Sequence, residues 1–104
     1  MLQFIKSLLI KDTTPGIREM LENGAVVIDV RSEGEYNSGH LSNSVNIPLN
    51  KLAGKIDEFD KRKPIITCCA SGIRSSSAKK MFKSKGFETV RNGGGWVSLK
   101  KYGV

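Results

Sequence analysis

Two short apolar runs rich in β-branched residues constrain this chain most: Ala25-Val26-Val27-Ile28-Asp29-Val30 and Ile65-Ile66-Thr67-Cys68. Neither alternates apolar with polar residues, as a strand with one wet face does, so each reads as a strand covered on both faces. Such strands belong to parallel sheets, whose crossover connections usually carry helices. The segments around them fit that plan. Thr13, Thr14 and Pro15 read as the cap and first turn of a helix. Its apolar face is Ile17, Met20 and Leu21, and it ends at Asn23-Gly24. Residues 32–44 are polar, mostly loop with room for one helical turn. Val45 to Pro48 reads as a short edge strand, because proline cannot donate to a ladder. Leu52, Ile56 and Phe59 have helical spacing. Ser75 to Lys85 reads as a helix with Ala78, Met81 and Phe82 on one face and Gly86 at its C-terminal cap. Phe87 to Val90 reads as a third strand, Asn92-Gly93-Gly94-Gly95 as a tight turn, and Trp96 to Tyr102 as a last helix. Strands alternating with helices mean α/β with a parallel sheet, expected as one domain over residues 1–104.

At 104 residues with 38% apolar and 26% charged side chains, the chain is long enough for one real core and reads as globular. No stretch approaches the roughly 18 apolar residues of a membrane span. Met1 to Ile10 is apolar but broken by Gln3, Lys6 and Ser7, lacks a signal-peptide pattern, and is expected to pack on the domain as a short strand or helix. The expected location is the cytoplasm, with no membrane partner. Two cysteines exclude a disulfide-dense scaffold and, with a single histidine, most all-protein zinc sites. Cys68 and Cys69 are adjacent. Neighbouring Cα atoms lie about 3.8 Å apart, closer than the roughly 4.4–6.8 Å of ordinary disulfides, so at least one thiol is expected to be free.

The net charge of +7 is unevenly spread. Residues 51–104 hold thirteen basic and four acidic side chains, a net of +9, and residues 1–50 a net of −2. A basic half favours an anionic partner, either a small anion or an acidic protein. Nucleic acid is set aside, because the basic residues carry no recognised motif and no interleaved aromatics.

The cysteines lie in that basic half, where a buried strand ends. In Cys69-Ala70-Ser71-Gly72-Ile73-Arg74-Ser75, small residues can turn backbone N–H groups inward as an anion nest. The N-terminus of the next helix adds unpaired N–H groups and a partial positive charge. Both favour thiolate over thiol. Gly72 permits the curl, and Arg74 can offer a bidentate fork to an oxyanion.

These segments resemble the rhodanese-like domains. Val27-Ile28-Asp29-Val30-Arg31, Glu35-Tyr36, Gly39-His40-Leu41 and Asn46-Ile47-Pro48 are similar to the family's N-terminal signature. Cys69 to Ser75 is similar to its active-site loop, C-x-x-G-x-R-S, and Gly86-Phe87, Val90 and Gly93 to Trp96 to its C-terminal pattern. The resemblance implies a central parallel sheet flanked by helices on both faces. It also implies sulfurtransferase chemistry, with Cys69 as nucleophile carrying a persulfide and Ala70 to Ser75 holding the substrate. A small anionic sulfur donor such as thiosulfate is implied, with cyanide, a thiol or a thiol-bearing protein as acceptor, and with no metal or organic cofactor. In this family His40 is read as structural. Asp29, Arg31 and Glu35 are read as an ion-pair network at the end of the strand.

Two other readings stay open. Counted from Cys68, the loop Cys68-x5-Arg74-Ser75 also matches the signature of cysteine phosphatases, and a related branch of the fold uses the longer loop for phosphate or arsenate. Thr67 stands where a phosphatase would place histidine, and no acidic residue lies between Asp60 and Glu88 to serve as general acid. Strand alternation sends Cys68 and Cys69 to opposite faces. Cys68 then reads as a small buried residue, with a resolving thiol as its alternative. The remaining reading is an idle rhodanese-like module that binds a partner; the intact Cys, Gly and Arg argue against it.

Overall fold

The computed structural model describes residues 12–104; Met1 to Ile10 lie outside them. In chain order the elements are α1 (Ile17–Glu22), β1 (Val26–Asp29), α2 (Glu33–Asn37), β2 (Ser44–Asn46), α3 (Leu49–Leu52), a 3-10 turn (Ile56–Glu58), β3 (Ile65–Cys69), α4 (Ile73–Ser84), β4 (Val90–Gly95) and a 3-10 helix (Trp96–Tyr102). The four strands form one sheet in the order β2-β1-β3-β4, every pair parallel.

All five residues of β3 are buried, as an apolar run without alternation requires. Its side chains feed two cores. Ile65 and Cys69 join Ile28, Val30, Leu52, Ile56, Ala78 and Phe82 on the face covered by α3 and α4. Ile66 and Cys68 join Met20, Val27, Leu41 and Leu99 on the face covered by α1 and the C-terminal 3-10 helix. The period of two along a strand thus divides the adjacent cysteines between opposite layers.

Several elements differ from their sequence reading. Helix α1 is capped by Gly16 without a side-chain bond, not by Thr13 or Thr14. The residue before a proline is biased toward extended backbone, and the carbonyls of Thr14 and Pro15 accept hydrogen bonds from the Arg91 guanidinium on β4. Leu52 and Ile56 are fully buried, as their spacing foretold. They do not share one helix, because α3 stops at Leu52 and the chain re-forms as a 3-10 turn beyond Gly54. Residues 33–37 form a real helix, fixed by a capping box in which the Ser32 hydroxyl accepts from Glu35 N and Glu35 accepts from Ser32 N.

The largest correction is β4. The strand is not Phe87 to Val90 followed by a tight turn; it begins at Val90 and runs through Asn92 to Gly95. Glycine is poor in strands on propensity alone, but space decides here. A Cβ on Gly93 would meet Leu99 Cδ1 at 2.9 Å and Thr67 O at 3.0 Å, and one on Gly95 would meet Ala70 O at 2.8 Å. Between the pairs Thr67–Asn92 and Cys69–Gly95 the register slips by one residue, a β-bulge beside the end of β3.

Candidate active site

Cys69 ends β3, and Ala70, Ser71 and Gly72 carry the chain into α4, which begins at Ile73. The sequence expectation placed residues 69–74 in the loop; the free loop is only three residues long. It closes because Gly72 adopts φ +101°, a left-handed backbone that residues with a Cβ rarely tolerate. A side chain there would also approach Gly94 Cα at 3.3 Å.

This curl aims donors at one atom. The Cys69 sulfur accepts from Gly72 N at 2.9 Å and Ser75 N at 3.4 Å, and lies 3.3 Å from Ser75 Oγ. Burial pushes the thiol up. The Ser75 hydroxyl and the N–H groups of Ser75, Gly72 and Ser71 outweigh that, and the Cys69 pKa falls below its usual value. The sulfur sits at the N-terminal end of a twelve-residue helix, whose partial positive charge acts the same way. Ser75 is fully buried. Its carbonyl accepts from Thr67 Oγ1 at 2.8 Å, which stitches the first turn of α4 to the middle of β3.

Cys68 lies on the other face, buried against the Asp29–Arg31 pair. Burial first and the Asp29 carboxylate second push its thiol up to about 12, with Arg31 opposing only in part. Asp29 and Arg31 form a buried ion pair, with Nη2 to Oδ2 at 2.8 Å and Nε to Oδ1 at 3.0 Å. Arg31 also donates to the carbonyls of Glu35 and Gly39 and lies 4.6 Å from the ring centre of Trp96. His40 stacks on Tyr36 at 3.8 Å, with Nδ1 2.7 Å from the Tyr36 carbonyl. Its contacts are with α2, away from the sulfur.

Two placements depart from the sequence reading. The Glu35 carboxylate does not join Asp29 and Arg31. It reaches Arg74, with Nη1 to Oε1 at 2.6 Å and Nη2 to Oε2 at 2.9 Å. Arg74 held this way, with Ser32 adding its backbone N–H, keeps the Glu35 carboxyl down at about 2. The fork expected to meet an anion therefore meets Glu35 across 39 residues of chain. Ala70, Ser71 and Ile73 are exposed on the outside of the cradle, Ile73 at 77%. Beside Arg74 opens a groove of about 510 Å³, floored by Val30, Pro48 and Leu49 and rimmed by Ser32 and Lys51.

Asn92 is the site residue that sequence reasoning missed. It pairs with Thr67 across the sheet and so faces α4. Its Nδ2 donates to Gly72 O at 3.0 Å. Its Oδ1 accepts from Gly94 N at 2.9 Å and from Ser75 Oγ at 2.6 Å. The only signal in the sequence is one amide at the head of a glycine run, and such a pattern is the commonest mark of a turn.

A parallel α/β sheet with one buried, hydrogen-bonded cysteine sulfur at the carboxyl end of a central strand defines a protein built around a single activated thiol. The model of the rhodanese-like domain matches residues 13–101, and the chain belongs to that family. It is 35% identical over 74 residues to the thiosulfate sulfurtransferase GlpE of Pseudomonas aeruginosa, a match spanning 71% of this chain and 67% of that protein. It is 31% identical over 88 residues to the putative sulfurtransferase YtwF of Bacillus subtilis, spanning 83% and 85%. Among solved structures, a rhodanese with anions from E. coli superposes with a TM-score of 0.67 at 30% identity, spanning 71% of this chain and 89% of that one.

Proposed function

We propose that this chain is a sulfurtransferase that moves a sulfane sulfur from thiosulfate, or from a persulfide donor, to a thiophilic acceptor through Cys69. The Cys69 thiolate attacks the outer sulfur of thiosulfate. The sulfur–sulfur bond of the donor breaks and sulfite leaves with the electron pair. Cys69 then carries a persulfide, whose outer sulfur passes to cyanide or a thiolate, and the Cys69 thiolate returns. Splitting one transfer into two displacements is covalent catalysis, with ping-pong kinetics as its signature.

The observation that carries this reading is the cradle itself. It holds two backbone N–H donors and one hydroxyl within 3.4 Å of one buried sulfur, and it is closed by a three-residue loop. Cys68 is a poor nucleophile by comparison, since its thiol is pushed up to about 12 on the face turned away from the loop. With Arg74 on Glu35, the charge that receives an incoming anion is that of the loop N–H groups and the α4 terminus. The basic second half of the chain supplies the longer-range attraction. The names of the curated relatives support thiosulfate as a donor.

Intact-mass measurement after incubation with thiosulfate and removal of the excess tests the reading. The expected result is a gain of about 32 Da, one sulfur per persulfide formed, lost again on adding cyanide. No gain in mass, with release of phosphate from an aryl phosphate, would replace the sulfurtransferase with a phosphatase.

A further inference from the structure

The cradle holds one proton for two acceptors. Ser75 is fully buried, so its hydroxyl has no access to bulk water. That hydroxyl lies 2.6 Å from Asn92 Oδ1 and 3.3 Å from Cys69 Sγ. The Asn92 amide has one orientation that works. Its Nδ2 must face the Gly72 carbonyl and its Oδ1 must face the Gly94 N–H; turned over, like would face like at both ends. Oδ1 is therefore an acceptor only, and the Ser75 proton goes either to it or to the sulfur.

In the thiol the arrangement is consistent from end to end. Cys69 S–H donates to Ser75 Oγ, and Ser75 O–H donates to Asn92 Oδ1. Once the sulfur loses its proton, that order no longer suits it. The Gly72 and Ser75 N–H groups still donate to the sulfur, but a third donor is gained only if Ser75 turns its proton away from Asn92. Asn92 Oδ1 then keeps the Gly94 N–H alone.

We propose that Asn92 is a positioning residue of the sulfur site: its side-chain oxygen competes with Cys69 for the Ser75 proton and so sets how readily the sulfur carries negative charge. The same amide anchors the Gly72 carbonyl, so one side chain holds the curl in place and limits the charge stabilisation inside it. This rests on Cys69 as the reactive sulfur, the reading proposed above, but its test needs no sulfur transfer.

The test is a double-mutant cycle read by the pH dependence of Cys69 alkylation with iodoacetamide, in the full chain. Asn92→Ala removes both the competitor and the Gly72 anchor; Ser75→Ala removes the proton competed for. The expected result is that Asn92→Ala shifts the alkylation midpoint about one pH unit further down when Ser75 is present than when Ser75→Ala accompanies it. Equal shifts in the two backgrounds would overturn the proposal and leave Asn92 a tether only. If a variant fails to fold, the unmodified chain still decides. The side-chain Nδ2 resonances of Asn92 should titrate with the midpoint of Cys69 alkylation, and signals that stay flat through it would end the idea. A chain that shows the coupling but gains no sulfur from thiosulfate would refute the proposed function and leave this inference standing.

Discussion

Cys68 and Cys69 are chemically identical neighbours, yet they occupy opposite faces of β3 in unlike surroundings. On the α4 face, donors converge on the sulfur and burial loses to them, so the Cys69 thiol is lowered. On the α1 face no loop among the described residues donates to the Cys68 sulfur. Burial and the Asp29 carboxylate act together, and the Cys68 thiol rises to about 12. Both residues are buried, at 0% and 1% exposure, and burial raises both thiols; only on Cys69 do hydrogen bonds outweigh it. The lesson is that the backbone separates the two thiols: a three-residue curl and the start of a helix lower the one they surround.

The comparison breaks most decisively by exchange. Cys69→Ser should lose all sulfur uptake from thiosulfate by intact mass, while Cys68→Ser should keep it; the opposite outcome would move the active sulfur to the α1 face. Alkylation at pH 8 followed by peptide mapping is the next largest effect. With one thiol at about 12 and the other below its usual value, the label should fall almost wholly on Cys69. Comparable labelling of both residues in the folded chain would show that the two faces are not distinct. Gly95→Ala sharpens the comparison by touching one face only. Its Cβ would lie 2.8 Å from Ala70 O, a backbone atom of the cradle. The fold should lose about 1–3 kcal/mol, and the alkylation midpoint of Cys69 should rise. An unmoved midpoint would mean the curl tolerates displacement.

The smallest effect is at Glu35. Its carboxyl is held at about 2 by Arg74 and Ser32, below its usual 4.5. A depressed folded-state value stabilises the native chain above the unfolded value, and that stabilisation fades as pH falls through the folded one. The stability gap between the native chain and Glu35→Gln should therefore be constant above about pH 5 and close toward pH 2. Both partners are more than a third exposed, so the gap should be modest and shrink with salt. A gap independent of pH would show that the pair is not ionic in its effect.

The central strands were legible because their apolar runs lack alternation, and among the described residues no other element buries such a run. The candidate loop was legible because Cys69, Gly72, Arg74 and Ser75 lie within seven residues. What escaped depends on contacts far apart in sequence. Gly93, Gly94 and Gly95 read locally as a turn, and only the approach of Thr67 O and Ala70 O shows why a strand there must be bare. Asn92 carries no chemistry of its own, so nothing marked it before Gly72 and Ser75 were seen against it. Arg74 stands out in the sequence, but its partner cannot be read from spacing, since Glu35 stands 39 residues earlier. The Ser32-x-x-Glu35 capping box was written plainly in the sequence and passed over inside a polar stretch.

The bonds that complete the cradle span 17 residues from Ser75 to Asn92, 20 from Asn92 to Gly72 and 39 from Arg74 to Glu35. Contacts of such separation require loop closure and form late when a chain folds. The N–H donors of Gly72 and Ser75 lie only three and six residues from Cys69, so what waits for β4 is the Asn92 bond that anchors the Gly72 carbonyl. The exact aim of the cradle is in this sense a maturation mark, fixed only when β4 has docked beside β3.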